Sequence, residues 1–244
     1  MRIPRFYCSE LNAASEVIEL PAAAHRHAIQ VLRMKPGEAL RVFDGNGLEY
    51  QAILDQVAKR GSIIRLGNKI EIDNESSLNI TLLQGISRGE RMDYAIQKAV
   101  ELGVNSIVPV VTERCNVQLS NGRADKRLAH WQGVMVSACE QSGRSMLPEL
   151  SDVISLDDVL AKDYGDENCH LVLDPQADKG FTELKQYDDV ALLIGPEGGL
   201  TEQEVQQANR TGFQSVRIGP RVLRTETAAI AAIAIVQTMW GDLG

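Results

Sequence analysis

The chain reads as an α/β protein in which a parallel sheet covered by helices follows a small β-barrel, and three observations predict this. From residue 78 onward short apolar runs alternate with helix-like segments, the pattern of a parallel sheet with helices on both faces. Before residue 72 the apolar runs are short, closely spaced and separated by hairpin-type turns. Between the two regions lies Glu71-Ile72-Asp73-Asn74-Glu75-Ser76-Ser77, a polar, turn-rich linker that divides the chain into domains at 1–72 and 73–244.

In the first domain Leu40–Phe43, Leu48–Leu54 and Ser62–Leu66 are the expected strands, joined by the turns Asp44-Gly45-Asn46-Gly47 and Lys59-Arg60-Gly61. Apolar or small residues at Ala24, Ala28, Val31 and Leu32 predict one helix over Ala22–Met34. Small barrels serve many ends, nucleic-acid binding among them, so this fold alone assigns no activity.

In the second domain Leu78–Ile86, Ile107–Val111, Leu171–Leu173, Val190–Ile194 and Val216–Ile218 read as strands. Glu90–Leu102, Ala124–Gln141, Glu202–Arg210 and Thr225–Trp240 read as helices. The last helix, TETAAIAAIAIVQTMW, is apolar around most of its circumference. Such a helix is buried by its own domain, by a second subunit, or by both on opposite faces.

The 44% hydrophobic content is ordinary for a globular chain, and the net charge of -8 argues against indiscriminate nucleic-acid binding. The charge is unevenly spread. The first 70 residues hold 10 Lys/Arg against 7 Asp/Glu, and the remaining residues 15 against 26. A mildly basic module joined to an acidic body suggests that one part touches a polyanion. Cys8, Cys115, Cys139 and Cys169 are far apart and read as buried reduced thiols, with no metal site indicated. His25 and His27 are two apart on a helix and so face different ways, while His130 and His170 are isolated. The N-terminal MRIPRFYCSEL has no signal-peptide core, and no run reaches the length of a membrane span, so a cytoplasmic protein is expected.

Function concentrates in two glycine-bearing turns, LLIGPEGG ending at Gly199 and RIGPRVLRTETA from Arg217 to Ala228. Each stands between a strand and a helix, the position at which ligands meet an open parallel sheet. Glycines that only make tight turns are the alternative for either one alone. A phosphate loop needs lysine after its glycines, and IGPEGG offers Glu197 instead. The spacing of Gly195, Gly198 and Gly199 does not fit a dinucleotide fingerprint either. A backbone-lined pocket for a neutral or cationic ligand remains. Thr225 is placed to cap the final helix, Glu226 falls in its first turn, and Arg224 at the tip of the turn has no structural duty. Arg88, Arg91, Arg114 and Arg144, at strand and helix ends, form a local basic patch if those ends share one side of the sheet.

Taken together, IGPEGG at 194–199, GPRVLRTETA at 219–228, SRGERMDYAIQKAVELGV at 87–104, TERC at 112–115 and ACEQSGR at 138–144 resemble the RsmE family of 16S ribosomal RNA uridine N3-methyltransferases. The MRIPRFY start and VLRM at 31–34 resemble it too, so the likeness spans the chain. It implies a SPOUT-type domain with a deep trefoil knot, preceded by a PUA-like barrel, acting as a homodimer with S-adenosyl-L-methionine on the small ribosomal subunit. By this resemblance the cofactor lies among Leu171, Leu173 and Pro175; Ile194, Gly195, Pro196, Glu197, Gly198 and Gly199; and Ile218, Gly219, Leu223, Arg224, Thr225 and Thr227. Arg224 is the candidate for stabilising charge on the uracil, and Glu140 or Glu226 for accepting the N3 proton. Arg2, Arg5, Arg33, Arg88, Arg91, Arg114 and Arg144 are the candidate phosphate contacts. An RNA-binding factor without catalysis and a phosphotransferase are the rival readings; intact Gly-Pro turns with Arg224 oppose the first, and the missing lysine opposes the second.

Overall fold

A computed structural model describes residues 3–12, 15–117, 122–162 and 168–244. The chain packs as two units, one running to Glu75 and including Cys139–Leu147, the other comprising Ser76–Ala138 and Pro148–Gly244.

The first unit is built on a five-stranded sheet of β1 (Arg5–Tyr7), β2 (Val17–Glu19), β3 (Ala39–Phe43), β4 (Glu49–Val57) and β5 (Ser62–Ile70). Its order is β1-β3-β4-β5-β2, with β1 parallel to β3 and the other neighbours antiparallel. Register breaks in the β4–β5 ladder at Tyr50/Ala52 and Leu54/Gln56 add local twist. Asp44 closes the β3–β4 turn, its Oδ1 accepting from the N–H groups of Asn46 at 2.7 Å and Leu48 at 3.0 Å. The three-residue strands β1 and β2 are too short to show a period, and so escape a pattern reading.

The helix expected over Ala22–Met34 is divided. An α-helix, α1 (Ala22–Arg26), passes into a π-helical turn over His27–Val31. In a continuous α-helix Met34 would lie about 240° around the axis from Ala28. The wide turn, closed by Leu32 N–H to His27 O and Met34 N–H to Ala28 O, both 3.0 Å, returns Met34 to the core beside Ala24, Ala28, Phe6 and Leu54.

Cys139–Leu147 folds with this unit through specific bonds. Arg5 Nη1 donates to Cys139 O at 2.6 Å, Tyr7 N–H donates to Glu140 Oε1 at 3.1 Å, and Leu147 N–H donates to Gly45 O at 2.9 Å. Arg5 also forks the fully buried Glu49, with Nε 3.1 Å from Oε2, and stacks 4.6 Å from the Phe43 ring centroid. Burial pushes the thiols of Cys8 to about 12 and of Cys139 to about 11, so both are inert packing groups.

The second unit carries a parallel sheet of β6 (Asn79–Gly85), β7 (Ser106–Val111), β8 (Glu149–Leu150), β9 (Ile154–Ser155), β10 (Cys169–Leu173), β11 (Asp189–Ile194) and β12 (Gln214–Val216). The order is β12-β10-β11-β6-β7-β8, with β9 also on β7. Every ladder is parallel. Helices α2 (Glu90–Glu101) and α6 (Thr225–Trp240) pack on each other, and α6 also packs on β6 and β11. Between them in the chain stand α3 (Arg123–Ser142), α4 (Leu156–Leu160) and α5 (Glu202–Arg210). Residues of α4 and α5, among them Leu156, Val159, Leu160 and Ala208, join Leu83, Val110, Val172 and Leu193 of the sheet in one apolar cluster.

The buried positions of α2, Met92, Ala95, Ile96, Ala99 and Val100, follow the i, i+3, i+4, i+7, i+8 stripe that makes it a surface helix with one inward face. Helix α6 buries Ala229, Ala232, Ile233, Val236 and Gln237, while Thr227 and Thr238 are exposed. Among the described residues no helix is long and apolar enough to cross a membrane.

Candidate functional site

A cavity of about 720 Å³ opens in the second unit at the carboxyl ends of β10, β11 and β12. Its walls are the three loops that follow those strands: Leu173–Gln176, Ile194–Leu200 and the stretch from Val216 to Ala228. Because the strands are parallel and adjacent, turns 20 or more residues apart in sequence are delivered side by side.

Backbone proximity explains the glycines. A Cβ on Gly195 would sit 2.8 Å from Leu200 N, and one on Gly85, at the end of β6, would sit 2.5 Å from Pro196 N. Gly199 at φ 69° and Gly219 at φ 64° occupy the left-handed region that a side chain disfavours. The first turn is closed by Gly199 N–H to Pro196 O at 2.9 Å.

The two glycine turns are pinned together by side-chain hydrogen bonds. Thr225 Oγ1 donates to Gly195 O at 2.6 Å and accepts from Gln84 Nε2 at 2.9 Å. Gln84 is fully buried at the end of β6 and also donates to Gly85 O at 3.1 Å. The reading of Thr225 as a helix cap is therefore corrected. Arg224 holds the N-cap position of α6 without a side-chain cap, and the Thr225 hydroxyl serves the pocket wall instead.

A second set of contacts fixes the rim. Glu197 Oε1 accepts from Arg88 N–H at 2.8 Å and lies 3.2 Å from Arg91 Nη1. Burial opposes its charge but is outweighed by the N–H groups of Arg88 and of Glu197 itself and by Arg91, which together hold the carboxyl below the usual range. Arg114 Nη1 donates to Gly198 O at 3.0 Å, and Arg88 donates through Nη2 to Asn116 O at 3.1 Å. Glu204 completes a capping box with Thr201 and accepts from Glu113 N–H at 2.8 Å, which ties α5 to the loop carrying Arg114.

Of the residues expected around the cofactor, Leu173, Pro175, Ile194, Gly195, Pro196, Glu197, Gly198, Gly199, Ile218, Gly219, Leu223, Arg224 and Thr225 line the cavity. Leu171 does not, being fully buried inside β10, and Thr227 points to solvent on α6. Glu226 lines the cavity, and its Oε2 is buried without a hydrogen-bond partner. Glu140 is not among the lining residues and belongs to the first unit. There burial raises its carboxyl above the usual range against the opposing pull of Tyr7 N–H, His27 and Arg5.

The expected arginine set divides. Arg91 and Arg114 line the cavity, Arg88 stands at its rim, and Arg33 is exposed on the first unit. Arg5 and Arg144 are 8% and 5% exposed and committed to Glu49 and Glu75, so neither presents a guanidinium to a phosphate. Expecting Arg144 in the patch around the pocket is thereby corrected. Arg2 lies outside the described residues.

Sequence reasoning did not reach Gln176, Leu200 and Val205 among the lining residues, nor Gln84 behind the wall. A glutamine inside the apolar run Leu78–Ile86 was the available signal for the last of these.

The class of protein follows from comparison with known families. Residues 74–237 match the family model of an RNA methyltransferase domain, and residues 20–67 match that of an RNA methyltransferase PUA domain. The fold is thus a parallel-sheet α/β domain preceded by a separate PUA-like domain. Ribosomal RNA small subunit methyltransferase E of Buchnera aphidicola (from Schizaphis graminum) is 38% identical over 99% of this chain and 98% of its own length. The protein of that name in Bacillus subtilis is 27% identical over 86% and 85% of the two chains. The Neisseria gonorrhoeae protein of the same name, in a crystal structure bound to S-adenosyl methionine, is 44% identical, with a TM-score of 0.92 over 100% of both chains. A Legionella pneumophila structure in complex with the bound cofactor SAM is 39% identical at a TM-score of 0.95, again over 100% of both. The chain belongs to the ribosomal RNA small subunit methyltransferase E family, as its motifs had indicated.

Proposed function

We propose that this chain transfers a methyl group from S-adenosyl-L-methionine to N3 of one uridine in the 16S ribosomal RNA of the small ribosomal subunit. The observation that carries the reading is the cavity formed by two glycine turns locked together through Thr225 and Gly195, in a chain of this family. The residues present fit that cofactor. Apolar residues such as Leu173, Pro175, Ile194, Ile218 and Leu223 alternate in the lining with the glycines of both turns. Asp174, Glu197 and Glu226 bring carboxylates within reach of a sulfonium, while Arg91, Arg114, Arg217, Arg221 and Arg224 stand on the same lining for the substrate side. Backbone groups of Leu173, Gly195, Ile218 and Leu223 would hold its adenine and ribose. When bound, S-adenosylmethionine supplies a methyl group activated by a sulfonium leaving group.

The chain's own residues must then manage charge. N3 of uracil becomes nucleophilic as it loses its proton, and negative charge spreads onto the neighbouring carbonyl oxygens. Arg224, exposed at the cavity and without an ion pair among the described residues, faces that charge. Glu226 is the preferred proton acceptor, supported by its place in the lining and its unpartnered Oε2. Arg88, Arg91 and Arg114 at the rim contact phosphates around a base turned out into the cavity, and Arg33 on the PUA-like domain is a further phosphate contact. The domain at 1–72 serves RNA binding and that at 73–244 catalysis. A trefoil knot through the three loops, a homodimer that covers the partly exposed face of α6, and action on ribosomes in the cytoplasm complete the reading.

The test is incubation with unmodified small subunits and labelled cofactor, followed by mass spectrometry of the RNA. One N3-methyluridine is expected; methylation of another base or of another atom would refute the assignment.

A further inference from the structure

The loop between β12 and α6 carries an apolar side chain that the fold leaves in water. Val222 lines the cavity and is 81% exposed, more than any other large apolar residue among those described. Its neighbours in the loop behave differently. Ile218 and Leu223 are half-buried, and Thr225 is buried with its hydroxyl on Gly195 O at 2.6 Å, so both ends of the loop are held. Between those anchors Gly219 turns the chain at φ 64° and Pro220 restricts the backbone that follows. Valine adds stiffness of its own, since its branched Cβ restricts the first side-chain torsion. The tip is thus a short, rigid, apolar point, where serine or asparagine would serve a turn as well.

The charge beside it in the loop has one sign. Arg217, Arg221 and Arg224 all line the cavity and are exposed, and none forms an ion pair among the described residues. Residues 214–225 contain no carboxylate. The acids of the cavity are set elsewhere. Asp174 Oδ1 accepts from Gln176 N–H at 2.9 Å, Glu197 is held by Arg88 and Arg91, and Glu226 stands in the first turn of α6. Guanidiniums on either side of one exposed valine suit a ligand that alternates anions with apolar faces, which is the chemistry of a nucleic-acid strand.

We infer that Val222 is a positioning residue for the methylated uridine, a wedge that enters the RNA stack where that base has left it, with Arg217 and Arg221 on the flanking phosphates. The inference rests on the proposed methylation of N3 and deepens it by naming what keeps the base in the cavity. A base inside a stack cannot present its ring nitrogen to a methyl donor, so the uridine must first be turned out. That leaves a gap between its neighbours, which closes again unless an apolar group fills it. Val222, at the cavity and on a loop held at both ends, stands beside the place that gap must take once the base is inside. Burial between bases also removes from water the apolar area that the free protein exposes. The cofactor is assigned to the backbone of Ile218 and Leu223, which leaves the Val222 side chain for the strand.

The decisive variant is Val222→Ser. Its melting temperature should stay within about 2 °C of the parent, because so exposed a side chain contributes little to stability. With unmodified small subunits and saturating cofactor, single-turnover methylation should slow by about tenfold or more, while KM for the subunits rises by no more than about threefold because the phosphate contacts remain. Val222→Leu should recover about half of the parent rate or more, since it fills the gap with another apolar side chain. On subunits reconstituted with RNA that lacks a base beside the target uridine, parent and Val222→Ser should methylate at rates within about threefold of each other, there being less stack to replace. A parent rate in Val222→Ser on intact RNA would overturn the inference. So would a leucine variant as slow as the serine one, or a rate gap that persists in full on the RNA lacking the base. A slow rate that tracks lost cofactor affinity or a changed oligomeric state would overturn it too, by assigning Val222 to the cofactor or to a second copy of this chain. Failure of the proposed function reads differently: the parent itself would then leave every uridine unmethylated, and the wedge would fall with it.

Discussion

Thr225 shows how one hydroxyl organises a pocket. It takes a proton donor from Gln84 and gives its own to Gly195, so the carbonyl of the first turn and the start of α6 are held in one geometry. Thr225→Val keeps the shape but takes the hydroxyl donor from Gly195 O and leaves Gln84 Nε2 with Gly85 O as its one remaining acceptor, a loss of about 1–3 kcal/mol. Calorimetry should show cofactor affinity reduced about tenfold or more, and Thr225→Ser should restore it. Arg224 has a different task. If it meets charge only as the reaction proceeds, Arg224→Ala lowers kcat by about 10²–10³ and leaves the cofactor dissociation constant within about twofold, as single-turnover kinetics would report. Glu140 contributes through pH. Its folded pKa lies above the unfolded one, so the folded chain holds the proton more tightly and stability falls as pH rises through that window. Glu140→Gln should therefore melt higher than the parent at pH 7.5, with the gap closing below about pH 4, the range of an unfolded glutamate. A gap that widens on acidification would contradict this.

Among the elements, the close approach of β6 to the first glycine turn is the most constrained contact. Gly85 ends β6 where Gln84 pairs with Ile194, so the strand end and the turn after β11 lie backbone to backbone. Gly85→Ala places a methyl 2.5 Å from Pro196 N, where neither partner is a flexible side chain. A loss of about 2–3 kcal/mol is expected, measured as a lower denaturation midpoint together with weakened cofactor binding. The long strands and helices of the second unit were legible because each exceeds a full turn of its period, as in the buried stripe of α2. The strands β1, β2, β8 and β9, of two or three residues, are defined by their neighbours and carry no pattern of their own. The division of the first helix at His27 had a tertiary cause as well, the return of Met34 to the core.

For the molecule as a whole, the segment Cys139–Leu147 belongs to a unit from which it is separated by 63 residues of the other. Arg5 and Glu49 make that membership specific. Removing either partner strands a buried charge, which is why these two residues concern the fold and not RNA. Ligand linkage tests the function on the intact chain. S-adenosylmethionine at about 100 times its dissociation constant adds about 2.7 kcal/mol, and for a chain of 244 residues this raises the melting temperature by about 5–10 °C. ATP should raise the midpoint far less, because the glycine turns lack the phosphate-loop pattern and IGPEGG carries Glu197 where that pattern needs lysine.

The motifs IGPEGG and RTETA were enough to locate the pocket and its family, because glycine demand and strand-turn-helix order are local properties. Local pattern also excluded a phosphate loop. Which carboxylate stands at the cavity was a different kind of question. Glu140 and Glu226 both follow plausible motifs, and only the packing of the chain put Glu226 in the lining and Glu140 on the first unit's Tyr7. Arg5 and Arg144 were indistinguishable in sequence from Arg91 and Arg114, until burial against Glu49 and Glu75 separated the first pair from the second. A charge's role depends on what surrounds it in space, and that is decided by contacts between residues far apart in the chain.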